Sequence, residues 1–127
     1  MTESLLNGDE RSRYSRHILL PEIGLTGQKM LRQSSVLCVG AGGLGSPILL
    51  YLAAAGVGRI VVIDFDVVDA SNLQRQVVHG SGTIGQLKTE SAQARLKDLN
   101  PFVVVETVAA PLSSMNALQL IKTVDVV

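Results

Sequence analysis

Along the chain, short apolar runs alternate with stretches of helical period, and glycine- or proline-containing breaks separate them. The first 34 residues are polar and mixed in charge. Within them RYSRHILLPEIG predicts a short helix ending near Pro21, and GQKMLRQS a second short helical piece. From Ser35 the character changes. SSVLCVG is a continuous apolar run, as expected of a parallel strand buried on both faces. GAGGLG follows, then SPILLYLAAAG, where Ser46 fits a cap, Pro47 the first helical position and Gly56 the C-terminal stop. A helix so apolar all round is expected to be buried rather than surface-lying. RIVVIDFD reads as a second buried strand, Arg59 to Asp64, with acids at its exit. Residues 65 to 84 are mostly polar and read as a long loop with room for a short helix. From Gly85 to Asn100, Leu87, Ser91, Ala94, Leu96 and Leu99 fall near helical spacing, stopped by Pro101. FVVVETVA is a third strand, SSMNALQLIKT a third helix capped by Ser113 or Ser114, and Asp125-Val126-Val127 begins a fourth strand.

This alternation predicts an α/β fold: a Rossmann-like open parallel sheet with helices on both faces, preceded by a short helical arm. The arm is expected over 1–34 and the sheet domain over 35–127. The sheet is expected to be truncated in its fourth strand, as the N-terminal part of a longer protein. The uncharged stretch from Val36 to Gly58 is long enough to cross a bilayer. Its six glycines and Pro47 oppose that reading, and strand, tight turn and helix fit better.

Composition adds exclusions. With 127 residues, 46% apolar and 17% charged, the chain can fill one core. Eleven basic and eleven acidic residues cancel, which argues against bulk-charge binding of nucleic acid or membrane. Two Tyr and two Phe leave little for base stacking. One cysteine, Cys38, makes no internal disulfide and no zinc cage. The N-terminus carries no apolar signal segment, so a cytoplasmic location is expected.

The chemistry centres on Gly40, Gly42 and Gly45, a GxGxxG between a strand and a helix. The first glycine suits a tight turn, the second a close approach of backbone to phosphate, the third helix–strand packing. The helix N-terminus offers free N–H groups to an anion. Asp64 follows Gly40 by 24 positions, where an acid binds ribose hydroxyls, and Asp66 lies two further on. These features alone fit an NAD-linked oxidoreductase. The long loop DASNLQRQVVHG changes the balance, because it is dense in hydrogen-bonding groups. Arg75 and Lys88 either neutralise a polyphosphate or are solvated charges, and Asn72 and Gln76 can orient neighbours. His17 and His79 lack partners at ligand spacing, so no metal site is expected; His79 reads as a solvated loop histidine. Cys38 reads as a small core residue, and Tyr14 as packing for the arm.

GAGGLGSP, AAAGVGRIVVIDFDVVDASNLQRQ, GQLKTESA and the N-terminal RYSRHILLPEIGLTGQKML together resemble the ThiF/MoeB/HesA family of E1-like adenylating proteins, over about residues 11 to 127. The resemblance implies that ATP and Mg2+ are used to adenylylate the C-terminal glycine of a ubiquitin-like sulfur-carrier protein, in molybdopterin- or thiamine-type sulfur transfer. It implies that Gly43 and its neighbours approach the ATP phosphates and that Asp64 holds the ribose. Asn72, Arg75 and Lys88 would surround the phosphates, and Arg16 would reach into a partner subunit's site in a homodimer. Arg16, Arg75 and Lys88 are thus the expected catalytic residues. The family's Mg2+-binding aspartate would fall just beyond Val127, and its CxxC zinc pairs and second-half cysteine are absent, so zinc belongs only to a longer parent. The remaining alternative is a non-catalytic nucleotide-binding or dimerising fragment.

Overall fold

The computed structural model describes residues 6–127, so the first five residues of the expected arm lie outside the described range. Three parallel strands, β1 (Ser35–Val39), β2 (Arg59–Ile63) and β3 (Val104–Val108), lie side by side with β2 central. Leu37 stands opposite Val61, and Val61 opposite Glu106. On the free side of β1, Val126 makes a parallel bridge to Val36, and the Leu37 N–H donates to the Val126 carbonyl at 2.9 Å. Strand order therefore reverses at β1. A crevice at the C-terminal ends of the strands, where the order reverses, is where open α/β sheets bind ligands.

Helices cover both faces. α4 (Gly45–Ala55) and α5 (Lys88–Leu99) lay Leu49, Ala53, Ala92 and Leu96 against Ile60, Val62 and Val105. Each of these eliminates nearly all of its exposure, and a fully buried Leu, Ile or Val contributes about 1.5–3 kcal/mol. Leu37, Val61 and Ile63 point to the other face, where Leu120 of α6 (Ala117–Ile121) and Val124 pack on them. The alternation along β1 and β2 thus splits one sheet into two cores.

The uncharged stretch divides into β1, a glycine turn and α4, and among the described residues no helix is long and apolar enough to cross a membrane. Burial is less complete than expected. Leu44, Ile48 and Tyr51 on the outer side of α4 are exposed, and so is Val39 at the end of β1. Only one side of α4 faces the sheet.

The arm folds as α1 (Gly8–Arg13), α2 (Ser15–Ile18) and α3 (Gly24–Gln33). The short helix expected before Pro21 is α2, and an additional helix, α1, precedes it, started by the capping box of Asn7 and Glu10 and ended at Tyr14. Inside the arm, Glu10 accepts from Arg32 Nε at 2.8 Å. Buried polar groups dock the arm: Asn100 Nδ2 donates to the Tyr14 hydroxyl and the Ala53 carbonyl, each at 2.7 Å. Gln28 Nε2 donates to the Ala55 carbonyl at 2.8 Å. The arm is therefore fastened to the C-terminal ends of α4 and α5.

Two expected caps are not caps. α4 starts at Gly45 behind Leu44, without a side-chain cap, and Ser46 sits inside its first turn. α6 starts behind Asn116, whose Oδ1 turns back to the Ser113 N–H, so neither Ser113 nor Ser114 caps it. α5 begins at Lys88 rather than Gly85, because Gly85 closes the preceding loop in a left-handed conformation, φ +89°.

Candidate nucleotide site at the glycine turn

The turn between β1 and α4 is shaped by its own glycines. Gly40 has φ +99°, a region that L side chains avoid. A Cβ on Gly45 would overlap the Gly40 carbonyl oxygen, so the third glycine is demanded by packing. Gly42 and Gly43 are different. A Cβ there would meet only ordinary contacts, 3.6 Å to Gln76 Nε2 and 3.8 Å to Arg75 Nε. Those two glycines leave open the space that a ligand would fill.

Main-chain groups line that space. The Gly40 N–H donates to the Ile63 carbonyl at 2.8 Å, and the Ala41 N–H to Asp64 Oδ2 at 2.8 Å. Beyond them, the N–H groups of Gly42, Gly43, Leu44 and Gly45 donate to no atom of the described residues. Four consecutive unpaired donors at the positive end of an eleven-residue helix form an anion cradle. Asp64 Oδ1 accepts from the Asp66 N–H at 2.8 Å. Its carboxylate thus anchors the turn, and each oxygen keeps a second lone pair for a further donor. Beside it, Val39, Gly40, Ile63, Phe65 and Leu112 wall a cleft of about 90 Å³.

The loop after β2 is not loosely solvated. Val67 and Leu87 bridge its two ends, and the Lys88 N–H donates to the Asp66 carbonyl at 3.0 Å. Where a short helix was expected, two single-turn 3-10 helices occur, Ala70–Asn72 and Ser81–Thr83. Asp69 caps the first through Ser71, whose hydroxyl and N–H hold its carboxyl below the usual carboxylate range. Asn72 Oδ1 closes the same turn on the Asp69 N–H at 3.0 Å. From there the chain lies across the glycine turn. Arg75 comes beside Gly43, Gln76 beside Gly42, and the Val78 N–H donates to the buried Ser46 hydroxyl at 2.6 Å. Ser46, expected as a helix cap, instead pins the loop to α4.

Lys88 opens α5 with only 9% of its side chain exposed, and its Nζ lies 4.0 Å from Asp66 Oδ2. A buried ammonium with one long, exposed partner is available to a stronger anion. The structure therefore gathers the glycines, Asp64, Asp66, Asn72, Arg75 and Lys88 at one end of the sheet. Arg16 is not among them. It lies in a hollow with Ala54, at the opposite end of α4 from the glycine turn, exposed and without a polar partner among the described residues. About nine residues of helix separate the two, roughly 14 Å.

Two residues carry more than their sequence context indicated. Gln76 is 4% exposed, and its Oε1 is buried with no partner. His79, read as a solvated loop histidine, is 7% exposed and bonded at both ring nitrogens. Its Nε2 lies 2.8 Å from the Ala41 carbonyl and its Nδ1 2.8 Å from Ser91 Oγ. Burial pushes its pKa below the ordinary histidine value. The one local signal was the apolar Val77-Val78 pair before it. Cys38 is half-buried, with its thiol 3.3 Å from the Gly40 carbonyl, and burial followed by the nearby Asp64 charge pushes its pKa up. That favours the neutral thiol over a nucleophile. Among the described residues no three of His, Cys, Asp and Glu converge as metal ligands, and Asp64 is already engaged by backbone donors. The described residues therefore build no all-protein cage for Mg2+.

The ThiF family model matches residues 14–127, nearly the whole described chain. The chain belongs to the ThiF family. This ThiF-family chain is 50% identical over 124 residues to the probable adenylyltransferase/sulfurtransferase MoeZ of Mycobacterium tuberculosis, covering 98% of the chain and 32% of that protein. It is 47% identical over 119 residues to a probable molybdopterin-synthase adenylyltransferase of Porphyra purpurea, covering 94% of the chain and 31% of the relative. Among solved structures, E. coli tRNA N6-threonylcarbamoyladenosine dehydratase, TcdA, in complex with AMP superposes with a TM-score of 0.86 at 27% identity, over 92% of this chain and 47% of that one. E. coli MccB with ATP gives a TM-score of 0.76 at 30% identity, over 93% and 36%. The chain spans about a third of the length of the curated relatives it matches. The Rossmann-like fold with its N-terminal helical arm is that of these neighbours.

Proposed function

We propose that this chain is the ATP-binding part of an adenylyltransferase that activates the C-terminal glycine of a ubiquitin-like sulfur-carrier protein in the cytoplasm. The observation that carries the reading is the row of unpaired N–H groups from Gly42 to Gly45, with Arg75 beside Gly43 and the buried Lys88 at the start of α5. The names of the adenylyltransferase relatives support the same chemistry. The ATP phosphates lie on the turn, with Arg75 and Lys88 balancing their charge and Asn72 bordering them. The ribose reaches Asp64, and the base enters the cleft beside Phe65 and Leu112.

The carrier's terminal carboxylate then attacks the α-phosphorus, and the bond to the bridging oxygen breaks. The products are acyl-adenylate and pyrophosphate. No side-chain nucleophile is required, because catalysis consists of positioning and of stabilising charge on the departing pyrophosphate. Arg16 serves a second copy of the chain rather than its own, since its position at the far end of α4 takes it away from its own turn. ATP–pyrophosphate exchange with a glycine-terminated carrier tests the proposal on this chain and on a longer form. Exchange by the long form is expected, and its absence there would reject adenylylation.

A further inference from the structure

The loop that carries Arg75 also grips the glycine turn from below, and His79 makes the decisive contact. Its Nε2 faces the Ala41 carbonyl oxygen at 2.8 Å. A carbonyl only accepts, so Nε2 carries the proton and donates. The other ring nitrogen is steadied by Ser91 Oγ at 2.8 Å, itself 2.9 Å from Thr83 Oγ1. The ring is therefore held between α5 and the turn, with Lys88 and Asp64 as the charged groups around it.

The Ala41 carbonyl and the Gly42 N–H belong to one trans peptide plane and point in opposite directions. A donor holding the carbonyl fixes the orientation of that plane, and so turns the Gly42 N–H away from His79. That N–H has no partner among the described residues. Asp64 fixes the preceding plane through the Ala41 N–H. Between them, two side chains distant in sequence set the direction of the first unpaired donor of the cradle.

We propose that His79 is a positioning residue for the nucleotide phosphates: it holds the Ala41 carbonyl so that the Gly42 N–H faces the bound polyphosphate. His79 touches no ligand itself. The inference rests on the nucleotide reading of the turn and adds the group that pre-orients it. Pre-orientation matters because a free peptide plane must be ordered at binding, which weakens affinity.

Isothermal titration of ATP into the wild-type chain, His79→Gln and His79→Leu tests this. Glutamine extends an amide N–H to about the position of Nε2, whereas leucine offers no donor. The expected outcome is near-wild-type affinity for His79→Gln and a loss of about tenfold or more for His79→Leu, the size of one lost hydrogen bond. A second readout needs no variant: in 15N-labelled wild-type chain, ATP should move the Gly42 amide proton downfield as it gains an acceptor. Unchanged affinity in a folded His79→Leu chain, lost affinity in a folded His79→Gln chain, or an unmoved Gly42 amide on saturation would each overturn the role of His79. If His79→Leu does not fold, His79→Gln and the Gly42 signal decide. A wild-type chain that binds no ATP would instead overturn the nucleotide reading itself.

Discussion

Asp64 and His79 act on the same short piece of main chain from two directions, and both are partly or wholly withdrawn from water. Asp64 accepts one backbone N–H on each oxygen. Hydrogen bonds to a charged acceptor contribute about 1.5–3 kcal/mol each. Asp64→Asn presents an amide N–H to one of those donors, and urea titration should show a loss of about 1–3 kcal/mol. Asp66→Asn removes the exposed carboxylate that is the ion-pair partner of Lys88, and should cost about 0.5–1 kcal/mol. His79 gives stability a pH dependence of definite sign. Burial lowers its pKa in the folded chain from 6.5, so between the two values the unfolded chain binds the extra proton. That contribution is fully present above about pH 6.5 and is lost as pH falls below it. Urea midpoints of wild type should therefore drop more on acidification than those of His79→Gln, whose amide does not titrate. Parallel curves would show that the imidazole is not the titrating group.

At the scale of elements, the glycine turn and the loop laid across it form one unit. Gly45→Ala drives a methyl into the Gly40 carbonyl, and because that atom is backbone the turn must move. A loss of about 1–3 kcal/mol, typical of overpacking, is expected in thermal unfolding, together with weakened ATP binding. Ser46→Ala leaves the buried Val78 N–H without an acceptor, which costs about 1–3 kcal/mol. The strands were legible from sequence because continuous apolar runs bounded by glycine leave few alternatives. The glycine turn was legible for the same reason, since strand, GxGxxG and helix come in order. Ser46 was misread because a serine before a helix carries the same local signal whether it caps or reaches a distant N–H. His79 was misread because its acceptor, Ala41, lies 38 residues earlier. Only the folded loop brings them together. The additional helix α1 and the break at Gly85 likewise came from local closures that spacing does not record.

For the whole molecule, the N-terminal arm separates two roles that share a few residues. Tyr14 is buried and bonded to Asn100, so it fastens the arm. Arg16, two residues on, is exposed and unpartnered among the described residues. Arg16→Ala should leave the melting temperature unchanged and lower pyrophosphate exchange in a longer form by about tenfold or more, as for a group acting on transition-state charge. Mixing Arg16→Ala with Lys88→Ala subunits should recover exchange, because one mixed site regains both residues; no recovery would count against a site shared between copies. We propose that the turn from Gly40 to Gly45, with Arg75 and Lys88, holds the polyphosphate of ATP. Calorimetric titration of the chain with ATP and with NADH tests it directly. The expected result is ATP binding that weakens by about tenfold or more in Arg75→Ala and in Lys88→Ala, the loss of a charge-assisted contact. Tight NADH binding without ATP binding, or ATP affinity indifferent to both substitutions, would contradict it.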